Sequence, residues 1–309
     1  MVEIIIPVYR PDEKLEKLIR MLKCQTIKPS VVRFMMTKVN PEEDSRVKQL
    51  LEQMPGAETV PVEKTDFDHG GTRNLGASMA KADFMLFMTQ DAVPVDKFLI
   101  ERLLAAFQDE TIASVYARQL ASDEVGVIEH YTRQFNYPSD SFVKSKEDLE
   151  RLGIKTYFCS NVCAMYRREV YKQLGGFVTK TIFNEDMILA ASVIDFGYKI
   201  AYAADAKVIH AHKYTYWQQF TRNFDLAVSQ QQFKDIFGSV KSESEGIKLV
   251  KQTMKYLIVK GKWYMLPDLV LQSGFKFLGY QFGKRYEKFP LSIVRKFSMN
   301  KKFWEEGKR

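Results

Sequence analysis

Four short stretches carry side chains whose types and spacing can do chemistry. FMLFMTQDAVP, residues 84–94, runs an apolar segment into a single carboxylate, Asp91, preceded by the uncharged Gln90. TDFDHGGTRN, residues 65–74, sets Asp66 and Asp68 before two glycines and Arg73. There Gly70 and Gly71 permit close approach to the backbone, Arg73 can neutralise phosphate, and the start of the following helix favours anions. Each aspartate can equally cap the loop or contact a base or sugar. IFNEDMILAASVIDFG, residues 182–197, reads as a helix with Glu185 and Asp186 in its first turn, where acids also complement the helix dipole. In VIHAH, His210 and His212 share one face if the strand continues, and imidazole suits Mn²⁺ better than Mg²⁺.

The elements that must position these groups alternate along the chain. Residues 2–8 read as a strand, 12–24 as a helix, 31–39 as a strand, 41–54 as a helix and 59–62 as a short strand. A loop from Gly70 leads into a helix, and a strand over 84–88 delivers Thr89, Gln90 and Asp91 at its carboxyl end. This α/β order implies a mostly parallel sheet. Ligands bind at the carboxyl ends of such strands, which puts Asp91 where chemistry is expected.

Composition bounds the rest. A length of 309 residues suggests two domains, and 46% hydrophobic residues suffice for a sizeable core. Cys24, Cys159 and Cys163 are odd in number and form no C-x-x-C pair, which fits a reducing, cytoplasmic setting. The run EIIIPVY lacks the features of a signal segment, and no apolar stretch approaches the ~18 residues of a spanning helix. Residues 1–240 hold 30 basic and 32 acidic residues, whereas 241–309 hold 16 and 6 together with twelve aromatics. The expected organisation is therefore a catalytic domain over 1–240 and an amphipathic helical region over 241–309. In the latter, Leu271, Phe275, Leu278 and Phe282 form an apolar stripe, and Lys276, Lys284 and Arg285 are available to an anionic membrane surface.

The stretches IIIPVYR, DHGGTRNLG, TQDA, QLGGF followed by NEDMILA, and VIHAH, taken in that order over residues 1–215, resemble the family-2 glycosyltransferases. The resemblance implies a GT-A fold that binds a nucleotide-sugar across the sheet and presents its diphosphate to a divalent cation. TQDA occupies the place of the family's acidic motif, with Gln90 where a second acid is common. A hard cation needs only one or two carboxylates beside a substrate phosphate, so Asp91 can suffice for Mg²⁺ or Mn²⁺. The resemblance adds His212 as a further ligand, with His210 in support. It places Pro7, Tyr9 and Thr37 at the nucleotide, Asp66, Asp68, Gly71, Arg73 and Gln90 along the donor, and Arg222 at the diphosphate. Asp186 becomes the general base and Glu185 its orienting neighbour in a single displacement with inversion.

The wording FDHGGTRN, TQDA and NEDM is most similar to bacterial rhamnosyltransferases, which use dTDP-rhamnose to build cell-wall or surface polysaccharides. That implies a lipid-linked saccharide acceptor and a place on the inner face of the cell membrane. Processive synthases of the superfamily carry Q-x-x-R-W, but here Asn223 follows Gln219 and Arg222, which favours a non-processive enzyme. A hexosyltransferase using another UDP- or dTDP-sugar shares the donor features. A nucleotidylyltransferase calls for a Gly-rich loop that PVYRPDEK does not supply. A nucleic-acid-binding protein could combine lysines with aromatics, but no recognised motif supports it, so nucleic acid is not an expected partner.

Overall fold

The computed structural model describes residues 1–238 and 243–305. They divide into two compact units: the first comprises 1–122, 136–180 and 185–211, and the second comprises 123–135, 181–184 and 212–309. The boundary expected after residue 240 lies outside the described residues. Packing, unlike charge, groups the chain from His212 onward, because the helix Tyr216–Gln232 shares a core with the later helices.

The first unit is built on one mixed sheet. Its strands are β1 (Val2–Val8), β2 (Val31–Thr37), β3 (Ala57–Val62), β4 (Phe84–Met88), β5 (Val93–Pro94), β6 (Ile112–Leu120), β7 (Phe142–Lys144), β8 (Cys163–Arg167) and β9 (Lys199–Ile209). The order is β3-β2-β1-β4-β8-β6-β9-β5, with β7 also on β9. The half β3-β2-β1-β4 is parallel, as the α/β pattern predicts. The strand β8 runs antiparallel between β4 and β6, and β9 is parallel to β6 but antiparallel to β5 and β7. Central parallel strands are covered on both faces and so read as continuous apolar runs. Accordingly Ile4, Ile5 and Ile6 are all fully buried, and Leu15, Leu18 and Leu22 of the helix Glu13–Lys23 complete that layer.

Several element ends differ from the sequence reading. The second strand stops at Thr37 and the following helix, Pro41–Leu51, is shorter than expected. The glycine pair does not form a loop. It lies in the first turn of the helix His69–Ser78, whose N-cap is Asp68. A Cβ on Gly70 would stand 2.0 Å from the Val178 carbonyl oxygen, so that glycine serves a close packing of backbones.

The second unit is helical. Its helices Tyr216–Gln232 and Leu266–Gly283 cross closely at Gly279 and Gly283, where an added Cβ would stand 2.2 and 2.3 Å from the carbonyl oxygens of Phe220 and Phe224. Phe282 packs with Phe220, Phe289 and Phe297, and Phe275 stacks on Tyr216. These contacts correct the expected outward stripe. Leu271 and Leu278 do face solvent, but with Val270 and Phe277 as companions, while Phe275 and Phe282 face the unit's own interior. A helix that is apolar on two sides has an ambiguous phase, which periodicity alone does not resolve. Lys276 is also less available than expected. It is half-buried among Glu129, Arg133 and Arg222, and burial lowers its pKa. Among the described residues no helix is long and apolar enough to cross a membrane.

Candidate active site

The carboxyl end of β4 gathers the groups that sequence reading singled out. After Met88 the Thr89 N–H donates to the Val162 carbonyl at 3.1 Å, so the approach to β8 lies alongside the TQDA turn. Pairing of Val93 with Ile209 then draws the end of β9 towards that turn. His210 is fixed there by its own backbone, whose N–H donates to the Leu120 carbonyl at 3.0 Å. Its Nε2 lies 3.6 Å from Asp91 Oδ2. Its Nδ1 meets Gln119 Oε1 at 3.1 Å, and Gln119 Nε2 donates to Ser160 Oγ at 3.0 Å. Because an amide oxygen can only accept, Nδ1 carries the proton in this bond, leaving the Nε2 lone pair to a ligand on the Asp91 side. Two residues further along the chain, His212 brings a third ligand atom, and those of Asp91, His210 and His212 all lie within 4.8 Å of one another.

One carboxylate, two imidazoles and a second-layer amide that sets the tautomer form a donor set that fits a divalent cation. Sequence reading treated His210 as support for His212, but the geometry brings the ligand atoms of both close to Asp91. It missed Gln119 altogether, whose only signal is its place near the end of a buried strand.

Gln90 makes a contact that sequence reading did not foresee. Its Oε1 accepts from the Tyr9 N–H at 2.8 Å and its Nε2 donates to the Tyr9 carbonyl at 2.9 Å. Both ends of the amide are thus engaged, tying the end of β1 to the end of β4. A carboxylate has no donor to complete this exchange, which explains why the position holds an amide. The Tyr9 ring is 36% exposed, with the Arg10 guanidinium 5.6 Å from its centre. Arg10 itself has a φ of 43°, in the left-handed region that a side chain seldom adopts. Arg10 also lines a small cleft beyond β1 and β2, shared with Val8, Met36, Thr37 and Asp44. The buried Thr37 hydroxyl has no hydrogen-bond partner among the described residues, and Pro7 is half-buried in β1 opposite Met35.

Asp68 Oδ1 accepts from the Gly71 N–H at 2.6 Å, and its Oδ2 accepts from the Lys180 N–H at 3.0 Å. This helix start therefore already holds an anion, and Asp68 takes the capping role that the sequence left open while tethering the Lys180 backbone. The N–H of Gly71 is spent in the same way. Asp66 is exposed in the preceding turn. Arg73 is 5% exposed, and its Nη1 donates to the His69 carbonyl at 3.0 Å and to Glu185 Oε1 at 2.9 Å. Its charge is met by Glu185, while its buried Nε has no hydrogen-bond partner among the described residues. Arg222 lies in the second unit over the rings of Phe183 and Tyr214, at 4.7 and 5.7 Å.

Glu185 opens the helix Glu185–Asp195, and Asp186 follows in the same turn. Asp186 Oδ2 accepts from the Asn161 N–H at 3.2 Å and Oδ1 accepts from the Met187 N–H at 2.8 Å. Burial raises the Asp186 pKa well above the usual carboxylate range, and the neighbouring Glu185 charge adds to the shift. The two N–H donors and Arg73 act against it. A carboxyl brought towards neutral pH is suited to accept a proton from a hydroxyl. Arg73, by pairing with Glu185, weakens the repulsion that two adjacent carboxylates would otherwise exert.

Comparisons with known proteins bear on the family and the fold. The model of the family described as Glycosyl transferase family 2 matches residues 3–175. The O-antigen chain rhamnosyltransferase RfbN of Salmonella typhimurium is 38% identical over 308 residues, covering 98% of this chain and 96% of the relative. The O-antigen chain rhamnosyltransferase WbaN of Salmonella anatum is 42% identical over 249 residues, covering 79% of this chain and 78% of the relative. Among solved structures, the mannosyltransferase PcManGT from Pyrobaculum calidifontis, in complex with GDP-Man and Mn²⁺, superposes with a TM-score of 0.57 at 15% identity. That match covers 98% of this chain and 84% of the other. S. aureus TarS 1–349 in complex with UDP-GlcNAc gives 0.55 at 13% identity, covering 93% and 91%. The likeness to these two structures is one of fold, a GT-A-like α/β architecture.

Proposed function

The chain belongs to glycosyl transferase family 2, and from that premise we propose that it transfers L-rhamnose from dTDP-β-L-rhamnose to a lipid-linked saccharide during synthesis of a bacterial surface polysaccharide. The two O-antigen rhamnosyltransferase relatives support the choice of sugar. The observation that carries the mechanism is the half-buried Asp186 carboxylate, held by the Asn161 and Met187 N–H groups.

In this reading an acceptor oxygen forms a bond to the anomeric carbon while the bond from that carbon to the diphosphate oxygen breaks. The electron pair leaves with the dTDP, the hydroxyl proton passes to Asp186, and the configuration inverts. Asp91, His210 and His212 would hold a divalent cation, Mg²⁺ or Mn²⁺, which would supply positive charge to the departing diphosphate. Arg73 and Glu185 keep the base in place, and the cleft beside Thr37 with the exposed Tyr9 ring receives the nucleotide.

The acceptor's lipid requires access to a membrane surface. Trp263, Tyr264, Val270, Leu271, Phe277 and Leu278 of the second unit are each at least 47% exposed. Exposed basic residues of the same unit, among them Lys260, Lys284 and Arg285, favour anionic headgroups. The chain accordingly works on the inner face of the cell membrane without spanning it.

The test is a donor screen with purified protein, reading nucleoside diphosphate release and sugar transfer with Mg²⁺, Mn²⁺ or chelator. Release from dTDP-rhamnose above all other donors is expected. Preference for a UDP-hexose would replace the sugar assignment, and undiminished activity in excess chelator would remove the cation.

A further inference from the structure

Asn161 reaches Asp186 through its backbone and carries a second polar group that the scheme above does not use. Its side-chain Oδ1 accepts from the Tyr166 hydroxyl at 2.9 Å. That hydroxyl lies 3.5 Å from Cys159 Sγ, which in turn reaches Ser114 Oγ at 3.8 Å. Ser114, Cys159, Tyr166 and Asn161 are each 2% exposed or less. Burial pushes the Cys159 thiol up to about 11 and raises the Tyr166 phenol further, so both stay protonated and the relay is neutral at physiological pH.

This buried relay fixes the plane of the amide. With Oδ1 turned to Tyr166, Nδ2 and its two N–H donors point the other way. Nδ2 has no hydrogen-bond partner among the described residues. Buried amide donors are nearly always paired, so one left over on the residue whose backbone N–H holds Asp186 can serve a ligand oxygen. A neutral NH₂ suits a neutral sugar oxygen, whereas the charged diphosphate is provided for at Asp91.

Resting on the glycosyltransferase reading, we propose that Asn161 Nδ2 docks the acceptor sugar by donating to an oxygen vicinal to the attacking hydroxyl. A single residue then sets both the base and the acceptor: its backbone N–H holds Asp186, and its side chain holds the neighbouring oxygen. Asn161 and Asp186 together read a diol, one oxygen accepting a hydrogen bond and the other giving up its proton.

The experiment uses the full chain with the alkyl hexoside of highest turnover in a panel. Asn161→Ala should raise the acceptor KM about tenfold or more, the penalty of a lost sugar hydrogen bond. It should lower transfer more than acceptor-free hydrolysis of the nucleotide-sugar, and leave the acidic limb of the pH profile in place, because the backbone N–H remains. Tyr166→Phe should shift the acceptor KM in the same direction by less, since it frees the amide without removing it. On the wild-type chain, an acceptor deoxygenated at the vicinal position should lose affinity as Asn161→Ala does, and the variant should be indifferent to that deletion. An active wild type that is insensitive to the vicinal hydroxyl overturns this proposal alone, even if the variants do not fold. So does an Asn161→Ala chain whose hydrolysis falls in step with its transfer. A wild type without transfer from any nucleotide-sugar overturns the function reading and this proposal with it.

Discussion

Gln90 and Tyr9, 81 residues apart, exchange two hydrogen bonds through one side-chain amide and one stretch of backbone. The pair joins the strand end that leads to the cleft beside Thr37 to the strand end that delivers Asp91. Gln90→Glu keeps the acceptor for the Tyr9 N–H but sets a carboxylate oxygen against the Tyr9 carbonyl. It should lower stability by about 1 kcal/mol and raise the donor KM without tightening cation binding. Denaturant unfolding and donor kinetics check both.

Removing any one ligand of the Asp91, His210 and His212 set should abolish most of the cation-induced rise in melting temperature while leaving the apo protein folded. Gln119→Ala should weaken cation affinity about 10–100-fold by releasing the His210 ring, although Gln119 is not itself a ligand. Calorimetric titration with Mn²⁺ distinguishes the two levels of loss. An unchanged affinity in Gln119→Ala would show that the ring needs no such support.

Transfer should fail as pH falls through neutrality, well above the range of an ordinary carboxylate. Asp186 must be ionised to accept a proton and its pKa is raised. The charged or titratable groups around it are Glu185 on its own helix, Arg73 on the 69–78 helix, Cys159 before β8 and Tyr166 on β8. Asp186→Asn should cost about 10²–10⁴-fold in transfer with donor binding retained. A pH–rate profile and single-turnover assays measure these effects.

Arg73→Met leaves the Glu185 carboxylate buried without its partner and beside Asp186. Breaking such a pair costs about 3–5 kcal/mol, so the variant should melt earlier. Adding Glu185→Gln in the same chain should recover much of the loss. A single variant as stable as the wild type would mean that water reaches the carboxylate.

Lys144 is fully buried, with its ammonium over the Tyr116 ring at 4.9 Å and donating to the Lys155 and Phe158 carbonyls. Burial lowers its pKa from 10.5 to about 7, against the opposing influence of Cys159 and Asp148. Between about pH 7 and 10 the unfolded chain holds a proton that the folded chain has released, so this residue makes stability rise with pH in that window. Lys144→Met should flatten the rise. Denaturant unfolding at pH 7.5 and 9.5, compared with the wild type, reads the slope.

Sequence periodicity located β1, β2 and β4 because their apolar runs are long and their ends are marked by polar residues. The position of Asp91 followed from that. The pairing of β5 with β9 did not, since a two-residue strand has no period, and without it the closeness of His210 to Asp91 is invisible. Arg73 and Glu185 stand 112 residues apart, and nothing local marks them as partners. Asn161 was hidden for a different reason: its task depends on the antiparallel insertion of β8 between β4 and β6, which an α/β alternation does not announce.

The position of β9 in the sheet also orders events in time. It is the last strand among the described residues, yet it lies inside the sheet, bonded to β5, β6 and β7, which are synthesised before it. Those earlier strands wait with open edges until it arrives, and such non-local closure is a slow event in folding. A nascent chain that has reached β8 already contains Asp91 and the approach to Asn161, but it has no histidine beside Asp91 with which to hold a cation. At the proposed cation site, competence to bind the ion would report that the sheet has closed, so metal protection against proteolysis would date the completion of folding.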